Sequence, residues 1–278
     1  MRNSFTASPV NTIVTPATCC YEAPHRDQGF SAAGMLPIHV INLDRSADRW
    51  EAIERSRGFG LDIRRVAGID GRAVGSGDRV DVDIARFRRC HGREMLPGEY
   101  GCYRSHLRAL EIVAASPEPL AIIAEDDVTL PADLPDRVAA VFSDAPEIGL
   151  LKLVNHRTTA FRATGRSSEG DEYGRCLHGP QGSAAAYALT RASAARLREA
   201  LGTMWLPWDI ALERGWATGV ATFTTREPLV SFPNRHGPSL IADSARYART
   251  KPSPLQRMPT LAFRAVDYLR RIQYGLRR

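Results

Sequence analysis

Five apolar residues in a row, Leu120-Ala121-Ile122-Ile123-Ala124, run directly into three carboxylates, Glu125-Asp126-Asp127. A short apolar run that ends so abruptly reads as a strand buried on both faces. Such a strand belongs inside an α/β sheet, and the polar residues that end it fall at the sheet's carboxyl edge, where proteins of this class build their sites. The rest of the chain supplies matching elements. Residues 36–43 read as a first buried strand, and Ser46 as the N-cap of a helix that Gly58 can terminate. Residues 62–69 read as a second strand, closed by the turn pair Asp70-Gly71. Residues 97–116 carry a helical pattern stopped by Pro117 and Pro119, and 134–142 suggest another helix. Strands are expected at 148–154, 183–189 and within 219–230, a helix at 191–201 capped by Gly202, and a short helix opening on Pro207-Trp208-Asp209. Residues 72–95 read as a loop or small subdomain, and 156–178 as a polar, mobile stretch. The expectation is an α/β fold with a mostly parallel central sheet flanked by helices.

The 278 residues divide into a flexible extension at 1–34, one large domain at 35–245 and a basic tail at 246–278. The extension has no apolar segment of the kind a secretory signal carries. Cysteines at positions 19, 20, 90, 102 and 176 form no C-x-x-C pair, so reduced thiols in a cytoplasmic protein are expected. The tail holds nine basic residues against Asp267 alone, a surplus larger than the net charge of +6, so the body of the chain is slightly acidic. No window offers the roughly 18 apolar residues that a membrane-spanning helix needs. Aromatic residues do not interleave with basic ones in the body, which argues against specific nucleic-acid binding. In the tail, Pro252, Pro254 and Pro259 mark a linker. Beyond them Leu261, Ala265, Leu269, Ile272 and Leu276 share one helical face, with Arg264, Arg270, Arg271, Arg277 and Arg278 mainly elsewhere. Such a helix suits the anionic inner face of a membrane, or else docks on the protein's own core.

Three adjacent carboxylates in a half-buried cleft repel one another and raise each other's pKa. A divalent cation removes the conflict, and hard oxygen ligands suit Mn²⁺ or Mg²⁺. Side-chain alternation puts Glu125 and Asp127 on one side and Asp126 on the other. Asp127 is then the metal ligand, with Glu125 supporting a nucleotide ribose or the metal's water shell. The bland alternative is a solvated acidic turn before the next helix. A phosphatase of the haloacid-dehalogenase type, which carries D-x-D-x-T, is disfavoured because Glu125 stands where the nucleophilic Asp belongs.

Four segments, in order, resemble glycosyltransferase family 25, the lipooligosaccharide glycosyltransferases. They are Val40-Ile41-Asn42-Leu43-Asp44-Arg45 with Asp48-Arg49, then Ala67-Gly68-Ile69-Asp70-Gly71, then Gly101-Cys102-Tyr103-Arg104-Ser105-His106, and finally Ala124-Glu125-Asp126-Asp127-Val128. The resemblance implies a GT-A-like fold over 35–245, a UDP-sugar donor (galactose being commonest), a divalent metal, inversion at the anomeric carbon, and a glycan or glycolipid acceptor such as lipopolysaccharide. Asn42, Leu43, Arg49, Ser105, His106 and Asp126 then become donor-binding candidates. Arg49 is suited to a diphosphate because a guanidinium pairs with it. Ser105 and His106, adjacent on a helix, point about 100° apart and cannot form a nucleophilic dyad. Glu125 and Asp209 are the catalytic candidates, Asp209 as the base that an inverting transfer needs, set among Trp205, Pro207 and Trp208. Asp209 also suits the first turn of a helix for purely structural reasons. His236 is the candidate second metal ligand. The rival to an enzyme is a non-catalytic nucleotide- or sugar-binding module that keeps the fold.

Overall fold

A computed structural model describes residues 36–233 and 257–277. Its frame is set by one pair of parallel strands. β1 (Ile38–Asn42) lies beside β3 (Leu120–Glu125) in parallel register, with Ile41 opposite Glu125, so Asn42 and Asp126 leave the sheet together. β2 (Ile63–Ala67) pairs in parallel on the other side of β1. β1 and β3 are buried on both faces along almost their whole length, as the runs of apolar residues predict.

The sheet has eight strands in the order β2-β1-β3-β7-β4-β8-β6-β5. The remaining strands are β4 (Leu150–Lys152), β5 (Phe161–Arg166), β6 (Glu172–Cys176), β7 (Ala186–Thr190) and β8 (Thr222–Thr225). Three neighbouring pairs are parallel and four antiparallel, so the sheet is mixed rather than mostly parallel. The cause is the reversal of β7 and β6, each inserted between strands that run the other way. Strand direction is invisible in residue type. Reversal needs only a connection that returns the chain to the other end.

Helices cover both faces. α1 (Ala47–Glu54) and α4 (Leu134–Asp144) enclose one core with Val40, Ile122, Ala124, Val138 and Phe142. α2 (Ile84–His91), α3 (Pro97–Ala115), α5 (Arg191–Ala200) and α6 (Trp208–Leu212) enclose the other with Ile123, Tyr103, Tyr187, Leu197 and Trp208. α7 (Gly215–Thr218) and α8 (Met258–Leu276) complete the described helices. Three further sequence expectations change. α1 passes into a 3₁₀ turn and ends at Gly60, whose φ of +82° suits glycine, rather than at Gly58. Residues 72–95 contain α2, and 156–178 contain the β5–β6 hairpin. Its outer strand, β5, is the sheet edge and has no buried residue, so it lacks the apolar alternation that betrays a half-buried strand, while β6 inside it is mostly buried.

Two of the sequence motifs meet through their glycines. A methyl group at Gly71 would overlap the carbonyl of Pro97 and the amide of Gly101, and one at Gly101 would overlap the carbonyl of Ile69. The turn after β2 therefore presses directly on α3. Gly71→Ala is expected to lower stability by about 3 kcal/mol in urea denaturation, since backbone rather than a pliable side chain must move. Wild-type stability in that variant would disprove the close approach.

Candidate active site

Side-chain alternation along β3 sends Glu125 toward α3, on the face shared by Ala121 and Ile123, and Asp126 toward α1. Each carboxylate then meets its own partners. The amide nitrogen of Asn42, at the end of β1, donates to Oδ2 of Asp126 at 2.7 Å and to the Ser46 carbonyl at 3.0 Å. Its amide oxygen accepts from Nε of Arg65 at 2.9 Å, which fixes its orientation. Arg49, in the first turn of α1, reaches Oδ1 of Asp126 at 3.1 Å. Burial still leaves the Asp126 carboxyl above its ordinary pKa, against the pull of Asn42 and Arg49.

On the other face, Nε2 of His106 lies 3.1 Å from Oε1 of Glu125, and the Cys102 thiol donates to the same oxygen over 3.9 Å. Nδ1 of His106 is 3.0 Å from the Tyr187 hydroxyl. Its ring stacks on Trp208 at 5.0 Å between centroids and 10° between planes. Burial works to raise Glu125, but the hydrogen bond and charge of His106 bring its carboxyl below the usual range. Glu125 is thus held as a fixed anion. The Cys102 thiol is pushed well up by burial and by the carboxylates of Glu125 and Asp209, so it is no thiolate nucleophile.

Asp127 differs from its neighbours. Its Oδ1 is buried and has no hydrogen-bond partner among the described residues. Burial, then the charge of Glu125, raises its carboxyl to about 7. An acid that buries an unpartnered oxygen beside two other acids lacks a counter-charge.

Asp209 opens α6, which Trp208 anchors to α3 by stacking on His106 and by an edge-to-face contact with Tyr103 at 4.9 Å. Burial and the charge of Glu213 raise its carboxyl, and Lys152 partly offsets them. Behind it lies a set of buried charges that the sequence does not announce. Lys152 ends β4 and donates to the Gly182 carbonyl at 3.1 Å, with Glu213 at 4.0 Å. Glu213 accepts from the amides of Gln181 at 2.9 Å and Gly182 at 3.3 Å, and from Arg271 of α8 at 2.6 Å. The one signal of it in the sequence is a lysine inside the apolar run 150–154.

The structure therefore gathers Asn42, Arg49 and Asp126 on one side and His106 and Glu125 on the other. Ser105 turns away: its hydroxyl donates to the Gly101 carbonyl and accepts from the Ile69 amide, both at 2.7 Å, joining α3 to the turn after β2. The Leu43 side chain, itself apolar, lies against the Gly68 backbone. His236 lies outside the described residues. Among the described residues, Cys102, His106 and Glu125 are close enough together to share a metal ion, but their ligand atoms already engage one another. Cys90, Cys102 and Cys176 are free thiols.

The structure is thus an eight-stranded α/β sheet with carboxylates at the end of an interior strand, tied to the first strand and helix. Residues 35–212 match the profile described as glycosyltransferase family 25 (LPS biosynthesis protein). The chain belongs to that family. A protein from Aedes aegypti described as a glycosyltransferase 25 family member is 30% identical over 121 residues, covering 42% of this chain and 20% of the relative. One of the same description from Anopheles gambiae is 29% identical over 118 residues, covering 40% and 20%. The match thus spans about a fifth of the length of these relatives.

Proposed function

We propose that the chain is a metal-dependent, inverting glycosyltransferase that moves a sugar, galactose first among candidates, from a UDP-sugar to a glycan acceptor of lipopolysaccharide or another surface polysaccharide. Family membership supports the reaction class. The observation that carries the site is Asp127, a buried carboxylate with an unpartnered oxygen beside two carboxylates that already have partners. Such an oxygen fits Mn²⁺ or Mg²⁺, with Asp127 holding the ion and His236 as a second ligand. When bound, the cation would supply positive charge to the diphosphate of the donor.

The chain's own residues carry the other roles. Asn42 and Arg49 fix Asp126 and set the donor edge of the first strand and helix, while His106 and Cys102 fix Glu125 as an anion on the other face of β3. Asp209 receives the acceptor hydroxyl's proton as the new bond to the anomeric carbon forms and the bond to the diphosphate oxygen breaks, the electron pair leaving with the nucleotide. Its raised carboxyl suits this task near neutrality better than an ordinary aspartate would.

Asp209→Asn is expected to lower kcat by ~10²–10⁴-fold while leaving the UDP-induced thermal shift intact. Wild-type activity should also fall as pH drops through the Asp209 carboxyl's pKa, because the base is then protonated. The primary test is a panel of UDP-sugars with Mn²⁺, scored by thermal shift and by transfer. Binding without transfer would favour the non-catalytic module, and no shift with UDP and Mn²⁺ would sink the whole reading.

A further inference from the structure

A helix that docks on its own protein ordinarily buries its apolar stripe and leaves its charges in water. α8 departs from this: Phe263 packs partly against the core, but the fully buried positions are mostly polar. Its buried residues are Thr260, Asp267, Arg271 and Gly275. Asp267 accepts from Nε of Arg214 at 2.8 Å, and Arg271 donates to Glu213 at 2.6 Å. Thr260 donates to the Arg89 carbonyl at 2.8 Å, and the Tyr274 hydroxyl accepts from the Thr222 amide at 2.8 Å. Two buried ion pairs and these hydrogen bonds fix the rotation of the helix. A roll that hid the apolar side would break them and deprive the buried Glu213 and Arg214 of their α8 ion-pair partners.

The side so turned outward is largely apolar, with Gln273 the one polar side chain within it. Met258 is 61% exposed, Leu261 49%, Val266 48%, Leu269 65% and Leu276 54%. At 100° per residue these side chains fall within one arc of the helix, with Ala262 and Ala265 between them. A continuous exposed arc of this kind marks a contact surface, unlike the scattered apolar residues of an ordinary surface. Charge decides what it contacts. Asp267, the helix's one acid, is consumed inside, so Arg270 and Arg277, both exposed beside the arc, leave the outward side purely cationic. A two-fold contact with a second copy would set these cations against their own equivalents. An anionic lipid surface instead offers acyl chains to the leucines and phosphates to the guanidiniums.

The geometry points to α8 as an interfacial helix, held rigidly by its polar side and laid with its apolar side on an anionic membrane surface. No helix among the described residues is long and apolar enough to cross a membrane. This inference does not depend on the catalytic reading.

The test is flotation of the full chain with vesicles of phosphatidylglycerol and phosphatidylcholine, or of phosphatidylcholine alone, at low and high salt. Binding to the anionic vesicles, weakened by salt and absent with the neutral ones, is expected. Leu261→Glu/Leu269→Glu should weaken it at least tenfold, because both side chains are exposed and play no part in docking the helix. Arg270→Gln/Arg277→Gln should weaken it roughly thirtyfold, and provides an independent reading should the first variant not fold. Binding that survives both variants overturns the inference. So does a wild-type chain that stays with the buffer, or one that forms a dimer which the leucine variant dissociates. The sugar-transfer assay of the wild type in detergent-free buffer stands apart, and its failure would bear only on the proposed reaction.

Discussion

Asp127→Asn is expected to make the metal-free protein more stable while abolishing most of its transfer activity. The carboxyl of Asp127 is raised from an ordinary 3.8 to about 7, so the native state holds its proton over a range where the unfolded chain has lost it. Where the native state binds the extra proton, stability falls as pH rises. The Asp127 contribution to stability in a chelator is therefore fully present below about pH 4 and is lost through about pH 7 as the buried charge forms. A tenfold difference in proton affinity between the two states corresponds to ~1.4 kcal/mol, so a gain of about 2–4 kcal/mol is expected for the amide at pH 8, shrinking toward zero at pH 4. Urea denaturation at the two pH values in chelator measures it. Activity should fall by ~10²–10³-fold, as when a preorganised electrostatic contact is lost. A variant that is both less stable at pH 8 and fully active would show Asp127 to be an ordinary structural acid.

Glu213→Ala is expected to produce the largest loss of stability, about 3–5 kcal/mol. Glu213 is the shared acceptor of a main-chain loop and the α8 arginine, and its charge lies 4.0 Å from the ammonium of Lys152. Removing it leaves Lys152 and Arg271 buried without that counter-charge. Burial already depresses the Lys152 ammonium's pKa, and the Glu213 charge is the largest influence opposing that shift. Glu213→Gln keeps one acceptor oxygen and should lose less. Removing Arg271 as well, as Leu, should restore part of the difference, because the two residues share one interaction. Strict additivity in the double variant would contradict the network. The Glu213→Ala chain should also lose membrane flotation, since α8 would no longer be held at a fixed angle.

The elements that surround the carboxylates were legible because their signals are local. The run 120–124, the helix ended by Pro117 and the short helix at Pro207 each carry their own punctuation, and β3, α3 and α6 follow them. The carboxylate cluster was legible for the same reason. What escaped was whatever depends on a distant partner. Ser105 reads as a binding residue beside His106, yet its hydroxyl joins a turn 36 residues away. His106 reads as a lone helical histidine until Glu125, Tyr187 and Trp208 surround it. Lys152 and Glu213 are far apart in the chain and give no sign of each other. The tail is the sharpest instance. Its apolar face was recognised, but two ion pairs with Glu213 and Arg214 determine which way that face points, and neither can be read from the helix alone.

Because β7 runs against β3 and β4, the polypeptide arrives at β7 on the same rim where its neighbours depart. Residues 182–185 therefore adjoin the carboxylates at that rim, and the Ala185 carbonyl accepts from the Glu125 amide at 2.7 Å. A peptide tag spliced into this segment would distort the carboxylates directly. The turn at Pro117-Glu118 lies at the far end of β3, where a reporter would stand away from the carboxylates at the cost of the Glu118–Arg64 ion pair.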